Sequence, residues 1–248
     1  MSVCAATGGE RGAEGPRVAV MQPYFLPSLV YFHLVAAADV FVFFDDVQFV
    51  TKRWTHRNRI VVNGAEHAFT VPLAGRSQSK RLTEIRVHPD EYPRWRDKFL
   101  ATCAQAYAGA PRADEVLPGL AEVLAEEDVT IAALAERSVR WAASHMGLAP
   151  GFLRSSELDY DREAGRAGKI VSLCEAIGAR DYVNAAGGRA LYDDADFAPS
   201  GIALRFIEPE PLPAPYGAAS VLHAMMHLLP TALADLAGRY RIAAKEAA

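Results

Sequence analysis

Residues 17–44 decide the fold, and they read RVAVMQPYFLPSLVYFHLVAAADVFVFF. The apolar opening, which ends at Met21, predicts a short buried strand followed by a loop. Pro27 suits the first turn of a helix, because its missing N–H would have no partner there anyway. Residues 40–44 are continuously apolar, which is typical of a strand covered on both faces. This strand–helix–strand order predicts a parallel βαβ unit.

The segments after this unit continue to alternate between strand and helix. Asn63-Gly64 between two apolar runs predicts a β-hairpin, and Gly178 marks the end of a helix. The other predicted elements are strands at 60–62, 68–71, 152–154, 182–184 and 202–207, and helices at 92–146 (broken near 109–111 and 128), 169–177 and 218–241. The sequence therefore predicts an α/β protein with an open, mostly parallel sheet of nucleotidylyltransferase-like or Rossmann-like layout. It carries a β-hairpin and a helical insertion at about 92–147, within a single domain at 16–241.

Composition limits the class of protein. The chain has 248 residues, 51% apolar and 23% charged, which is typical of a globular domain. Its net charge of −4 argues against a general nucleic-acid or membrane-surface protein. No apolar run approaches the roughly 20 residues that a bilayer requires. Residues 1–15 lack the apolar core of a signal peptide and predict a disordered tail. Cys4, Cys103 and Cys174 form no zinc motif, so a cytoplasmic protein is expected.

Residues 47–83, here called the basic segment, hold the densest set of charges. They contain seven cations and one acid, a local balance of +6, which leaves −10 for the rest of the chain. The cations are Lys52, Arg53, Arg57, Arg59, Arg76, Lys80 and Arg81. Such a patch indicates a bound anion, because arginine presents a planar fork to phosphate or carboxylate. A solvated basic hairpin and an RNA site with Trp54 as a stacking platform remain alternatives.

Asp45 and Asp46 end the second predicted strand. The carboxyl ends of strands border the ligand crevice in open α/β sheets, which favours a functional role. The two carboxylates could bind a divalent metal, accept a sugar hydroxyl or act as a general base. The structural alternative is that one caps the next turn while the other pairs with Lys52 or Arg53.

The loop at 22–27 joins the first predicted strand to its helix. A helix N-terminus there would offer free N–H groups to an anion, which makes Gln22 and Tyr24 candidate binding residues. The layout resembles the nucleotidylyltransferase-like superfamily, whose first strand leads to a histidine-containing loop and helix. The histidine pair of that superfamily is missing, and His33 lies too far into the helix to replace its second member. The resemblance therefore concerns the fold and not nucleotidyl transfer.

Two further loops are candidate ligand-binding segments. Residues 77–80 contain serine and lysine, but a Ser–Lys nucleophile needs a desolvated amine. A phosphate-contacting loop with Gln78 and Lys80 is therefore favoured. After the strand at 182–184, Asn184 is followed by Gly187 and Gly188, which would let a backbone approach a ligand closely. A plain turn is an equal alternative for this second loop.

His223 and His227 have the i, i+4 spacing of paired metal ligands on a helix. The glutamate of a zinc-protease motif is absent and the neighbours are apolar, so a packing or capping role is favoured. No metal site and no cofactor are predicted.

Motifs spread over most of the chain resemble the WbqC-like family. The most specific are MQPYFLP at 21–27, DDVQF at 45–49 and KRW at 52–54. Others are at 57–60, 63–64, 71–73, 77–80, 84–85, 155–158, 169–170, 187–188, 201–202 and 216–217. Residues 218–219 and 221–227 depart from the expected pattern, which bears on acceptor specificity more than on the fold.

The resemblance implies a cytoplasmic bacterial protein of O-antigen, other polysaccharide or natural-product biosynthesis. The implied activity is transfer of glycine or a similar acyl group to an amino-sugar nucleotide or related amine. Under that hypothesis Arg53, Arg57 and Arg59 hold a phosphate and Asp45 or Asp46 deprotonates the amine. Gln22, Gln48 and Asn58 then position the acyl carbonyl.

Two other hypotheses stay open: a non-catalytic protein that binds an anionic ligand of such a pathway, and an ATP-using ligase with a degenerate nucleotide site. The expected partner is an anionic small molecule, with an acyl-carrier protein as a candidate donor. Neither nucleic acid nor membrane is an expected partner.

Overall fold

The computed structural model describes residues 15–51 and 54–245. Within them the strands are β1 (Arg17–Met21), β2 (Val40–Phe43), β3 (Arg57–Val62), β4 (Ala65–Thr70), β5 (Leu73–Ala74), β6 (Arg86–Val87), β7 (Gly151–Arg154), β8 (Asp181–Ala185), β9 (Ala203–Pro209) and β10 (Tyr240–Ala244). The helices are α1 (Tyr31–Ala37), α2 (Tyr92–Ala106), α3 (Ala113–Leu124), α4 (Ile131–His145), α5 (Arg166–Ile177), α6 (Asp194–Phe197), α7 (Val221–His227) and α8 (Pro230–Ala237).

The main sheet has six strands in the order β10-β9-β8-β1-β2-β7. All neighbouring pairs are parallel except β10 with β9. The five parallel strands, numbered along the chain, therefore lie in the order 3-2-1-4-5, with β1 at the centre. This is the order of a doubly wound sheet, and its topological switch point lies between β1 and β8. The predicted α/β class with an open, mostly parallel sheet is confirmed.

Apolar residues of the sheet pack on both faces. Ala19 of β1 belongs to a core formed with α1, α4 and α7, whereas Val18 and Val20 belong to a core on the other face with α5. Successive side chains of a strand point to opposite faces, so a central strand covered on both sides must be apolar throughout. That requirement explains the continuous apolar runs from which β1 and β2 were predicted.

The predicted hairpin is confirmed as β3 and β4, with Asn63 and Gly64 both at positive φ (50° and 77°). The predicted helical stretch contains α2, α3 and α4, which lie between β6 and β7. The predicted disordered tail falls almost wholly on residues 1–14, outside the described residues, as does Cys4.

The predicted start of the first helix at Pro27 is wrong. Leu26 has a φ of 46° and Ser28 forms a backbone bridge with Ser220, so the chain becomes helical only at Tyr31. The N–H groups of residues 31, 32 and 33 donate to the carbonyls of residues 28, 29 and 30. These groups do not offer the free N–H donors to an anion that were expected there.

The end of the chain also differs from the prediction. Residues 240–244, partly assigned to a final helix, form β10 at the edge of the sheet. Pairing with β9 decides this outcome, because the segment itself has no strong strand pattern.

Candidate functional site

A cavity of about 290 Å³ opens beyond the carboxyl ends of β1 and β8, at the topological switch point. We call it the switch-point cleft. It is lined by Met21, Tyr24, Pro27, Ser28, Val30, Tyr31, Leu34, Trp54, Asn58, Ala185, Gly217 and Ala218. This is the place where ligands bind in open α/β sheets, and the lining combines apolar side chains with a few polar groups, as small-molecule sites do.

The loop after β1 is held by hydrogen bonds from distant parts of the chain. Phe25 donates its N–H to the carbonyl of Thr55 (3.1 Å), and Leu26 donates its N–H to Ser138 Oγ (2.9 Å). Asn58 donates from Nδ2 to the Leu26 carbonyl (2.6 Å) and accepts the N–H of Arg59 at Oδ1 (2.9 Å). The buried Asn58 side chain thus fixes the hairpin against the cleft, besides lining it.

Aromatic side chains form one wall of the cleft. The rings of Tyr24 and Tyr31 lie 5.6 Å apart, and Tyr31 donates its hydroxyl hydrogen to the Gln22 carbonyl (3.0 Å). Burial raises the pKa of Tyr31 well above its ordinary value, so this hydroxyl remains protonated. The Gln22 side chain itself is not part of the cleft lining.

Trp54 combines the aromatic wall with positive charge. Its side chain is 40% exposed, and the guanidinium groups of Arg57 and Arg59 lie 5.7 Å and 5.4 Å from its ring centroid. Arg59 also pairs with Glu66 (2.9 Å). A planar ring flanked by two guanidinium groups can stack on a flat group while binding a nearby anion. Lys52 and Arg53, predicted to act here, lie outside the described residues.

The carboxyl end of β8 borders the cleft through Ala185, and the turn that follows begins at residue 186. Asn184 is buried and accepts the Ala185 N–H at Oδ1 (2.8 Å). A Cβ at position 188 would lie 2.4 Å from Asn184 Nδ2, so any residue larger than glycine there would displace the Asn184 side chain. Gly187 is exposed, with no atom within 4 Å of a Cβ built on it. Asn184 and Gly188 therefore shape the loop, and neither of them lines the cleft.

Asp45 lies beyond β2, where its carboxylate binds the segment that follows β7. It accepts hydrogen bonds from Ser156 N (2.9 Å) and Ser156 Oγ (2.7 Å), and it shares the single hydroxyl hydrogen of Ser155 (Oγ at 3.0 Å) with Asp46. The residue is 3% exposed. Its two oxygens are therefore already occupied.

Asp46 has a similar environment. It accepts hydrogen bonds from Ser155 Oγ (2.5 Å), Tyr160 OH (2.9 Å) and Arg162 Nε (2.9 Å), and its side chain is 3% exposed. Buried carboxylates with this many donors hold segments together. The geometry thus gives the predicted catalytic pair a clear structural role, while its catalytic role stays a prediction.

A second cavity, of about 400 Å³, lies beside Asp46, and we call it the polar pocket. It is lined by Asp46, Val47, Gln48, Arg81, Tyr160, Arg162, Glu163 and Lys169. The motifs at 21–27 and 45–49 thus lie at neighbouring strand ends, as predicted, but line two different cavities. Gln48, which was predicted to act with Asp45 and Asp46 by positioning the acyl carbonyl, belongs to the polar pocket, where its backbone bridges that of Arg81.

Two candidates on the 77–80 loop lie outside both cavities. Gln78 is exposed and Lys80 is partly buried. Ser77 Oγ lies 2.7 Å from Ser79 Oγ, and Lys80 donates its backbone N–H to the Ser77 carbonyl (3.2 Å). This compact turn differs from a Ser–Lys nucleophile, in which the amine contacts the hydroxyl.

The two histidines of α7 contact each other. The rings of His223 and His227 lie 4.4 Å apart, and His227 Nδ1 lies 2.8 Å from the His223 carbonyl oxygen. Tyr107 packs against both rings. Across residues 15–51 and 54–245, no three or more His, Cys, Asp or Glu side chains are grouped to hold a metal ion.

Sequence reasoning missed several residues of both cavities. In the switch-point cleft these are Ser28, Val30, Tyr31, Leu34, Ala185 and Ala218; in the polar pocket they are Tyr160, Arg162, Glu163 and Lys169. Tyr160 and Arg162 lie more than a hundred positions from Asp46 and meet it only because β7 pairs with β2. The motifs at 155–158 and 169–170 were the signals near them, and the second includes Lys169.

A sequence model of the WbqC-like protein family matches residues 22–221. The chain belongs to this family. A similar relative is an uncharacterized protein of Mycobacterium tuberculosis, 27% identical over 183 residues, covering 73% of this chain and 77% of that protein. No solved structure matches the chain.

Both cavities lie within residues 22–221, the region that matches the WbqC-like family. The one exception is Met21 of the cleft lining, which directly precedes that region. Among the described residues of this WbqC-like protein, no helix has the length and apolar composition needed to span a membrane.

Proposed function

We propose that this chain is an acyl- or aminoacyltransferase that acts on an amino-sugar nucleotide or a related amine, with the switch-point cleft as its substrate site. The proposal rests mainly on Trp54, which lies at the topological switch point. The guanidinium groups of Arg57 and Arg59 lie over its ring. A planar base can stack on the indole while the guanidinium groups bind the adjoining phosphates.

The size of the cleft fits part of such a ligand. Its volume of about 290 Å³ lies near the lower end of small-molecule sites, which begin at about 300 Å³. A nucleotide-sized substrate would fill the cleft with one end and extend over the exposed face of Trp54. The amine and the acyl group would meet where Tyr24 and Asn58 border the cavity.

Amide formation needs a neutral amine, an activated acyl group and donors for the developing oxyanion. Cys103 and Cys174 are both buried, and burial raises the pKa of each thiol to about 12, so neither suits covalent catalysis. Direct attack of the amine on a thioester or acyl phosphate is then the simplest route. In it the nitrogen–carbon bond forms, the thiolate or phosphate leaves, and the amine proton passes to solvent.

This scheme does not need Asp45 or Asp46 as the base. Their carboxylates already accept the donors of Ser155, Ser156 and Arg162, so we assign them the task of holding the edge of the sheet. Because both carboxylates already accept these hydrogen bonds, a second candidate function is also favoured. In it the protein is non-catalytic and binds an anionic ligand of a glycan or natural-product pathway. In either case we place the protein in the cytoplasm, with a carrier protein as candidate donor.

Turnover assays separate these functions. Purified protein would be incubated with a matrix of amino-sugar nucleotides and acyl or aminoacyl thioesters, with and without ATP, and amide products would be followed by mass spectrometry. Amide formation without ATP is the expected result. Binding of a nucleotide without product from any donor would support the non-catalytic candidate and contradict the transferase. ATP-dependent pyrophosphate release would instead point to a ligase.

A further inference from the structure

The polar pocket contains two cations without a neutralising partner. Arg81 and Lys169 both line it, and within the described residues neither side chain forms an ion pair. Arg162, the third cation, is fully engaged: Nε binds Asp46 (2.9 Å) and Nη2 binds the carbonyl of Leu158 (2.9 Å). The pocket therefore has two charges available to a ligand, one from each of two distant segments.

The walls of the pocket are fixed before any ligand arrives. The Arg162 guanidinium lies 4.5 Å from the Tyr160 ring centroid, and Tyr160 donates its hydroxyl hydrogen to Asp46. On the opposite side, Leu82 donates its N–H to the Val47 carbonyl (3.0 Å), which anchors the backbone beside Arg81. The N–H of Arg81 donates to Glu84 Oε2 (2.7 Å). A preorganised wall reduces the ordering cost of binding.

The pocket shares no lining residue with the switch-point cleft, although the two lie at neighbouring strand ends. Adjacent strands are about 4.8 Å apart, so the two cavities are separated by only a few strand widths. Glu163 is the one lining carboxylate of the pocket besides Asp46, and it is exposed. It forms no ion pair with either available cation within the described residues.

We propose that the polar pocket binds the phosphate group of a phosphate monoester or diphosphate, between Arg81 and Lys169. A phosphate carries up to two negative charges and several acceptor oxygens, so it can meet a guanidinium and an ammonium at once. Gln48 also lines the pocket, and its side-chain amide is a hydrogen-bond donor. The volume of about 400 Å³ leaves room for the organic part of such a ligand. Glu163 then faces a hydroxyl or amine on that part.

Inorganic phosphate is the first probe, measured by isothermal titration calorimetry at low ionic strength. Arg81→Gln and Lys169→Gln should each weaken phosphate binding about tenfold, because each removes one charge-assisted contact. Glu163→Gln should instead strengthen it about twofold, because a like charge next to the anion is removed. Binding should weaken as salt is added. A change in net charge alone would give the same signs, so variants that remove equal charges at a distance from the pocket are needed as controls.

Matched controls are Arg94→Gln and Lys98→Gln, which remove the same charges from exposed positions on α2. They should leave phosphate affinity unchanged. Equal losses in the α2 and pocket variants would overturn the proposal, as would a wild-type protein that binds no phosphate. Thermal unfolding shows whether each variant is folded, and the midpoints of the two α2 variants are the reference for the pocket variants.

The site is independent of the proposed transferase activity. Trp54→Ala changes the switch-point cleft and leaves the polar pocket intact, so it should not alter the affinity for inorganic phosphate. A protein that binds phosphate but forms no amide would keep this site and reject the transferase. A protein that forms amides but binds no phosphate would support the transferase and reject the phosphate site.

Discussion

At the scale of single residues, Asp46 connects two parts of the sheet edge. Its carboxylate takes donors from Ser155, Tyr160 and Arg162, at positions 109 to 116 further along the chain. Arg162 in turn donates to four backbone carbonyls of the same connection. One buried carboxylate therefore orders the segment between β7 and α5, including one wall of the polar pocket.

Asp46→Asn should therefore lower the free energy of unfolding. The substitution removes the charge that faces Arg162 and replaces one acceptor oxygen by a donor, at a cost of about 3 kcal/mol. Denaturant unfolding measures the loss. Asp159→Asn is the matched control, since Asp159 is an exposed residue of the same connection with no side-chain partner within the described residues. If both variants were equally stable, the Asp46 contacts would contribute little.

The sequence predicted where these residues would lie but not what they would contact. The apolar run ending at Phe44 placed Asp45 and Asp46 at a strand end, which is correct. Their partners follow from the pairing of β2 with β7 across the helical insertion, and no local pattern encodes that pairing. The same holds for Tyr31, which could be assigned to a helix but not to a cleft.

At the scale of secondary-structure elements, the turn that follows β8 depends on close packing. Residues 186–191 form a 3-10 helix that passes directly over the Asn184 side chain at Gly188. Gly188→Ala should displace that side chain and break its hydrogen bond to Ala185, lowering stability by about 1–3 kcal/mol. Gly187→Ala should lower stability by much less, because the space around its Cβ is open. Urea unfolding of both variants tests the difference, and a reversed order would contradict this description of the turn.

Elements with strong local signals were predicted well. Asn63-Gly64 specified the hairpin, because both residues tolerate the positive φ that the turn requires. The start of α1 and the strand β10 were missed. In both cases a contact with another element decides the conformation: Ser28 with Ser220 for the first, and β9 with β10 for the second.

At the scale of the whole molecule, buried histidines link stability to pH, and among His33, His56 and His223 the pKa is lowered furthest for the last two. Burial, aided by Arg76 and Arg57, lowers the pKa of His56 to about 4, and burial, aided by His227, lowers that of His223 to about 4. In the unfolded chain these imidazoles bind protons near pH 6.5. The contribution of each neutral histidine to the free energy of unfolding is therefore fully present above that pH and is lost as the pH falls toward 4. Each histidine contributes up to about 3 kcal/mol.

Unfolding free energies measured between pH 7 and 4 test this linkage. Replacing His56 and His223 by glutamine should reduce the pH dependence of the unfolding free energy in that window. His67→Gln, at an exposed position of β4, should leave it unchanged. If the unfolding free energy of the double variant fell with pH as steeply as that of the wild type, other groups would cause the loss of stability in acid.

Both cavities lie along the carboxyl edge of one sheet, which is where a doubly wound fold concentrates its ligand contacts. The family resemblance and the open, mostly parallel α/β sheet could be predicted from the sequence. The division of the predicted site into a switch-point cleft and a polar pocket could not, because it depends on which strands are neighbours and on how the basic segment folds over them.

We propose that the switch-point cleft binds an anionic, planar ligand through Trp54 and its two arginines. The direct test is calorimetric titration of wild type, Trp54→Ala and Arg94→Gln with uridine diphosphate and amino-sugar nucleotides. Loss of stacking should weaken binding to the Trp54 variant about tenfold or more, with wild-type affinity in the Arg94 control. Equal affinity in all three proteins would contradict the claim.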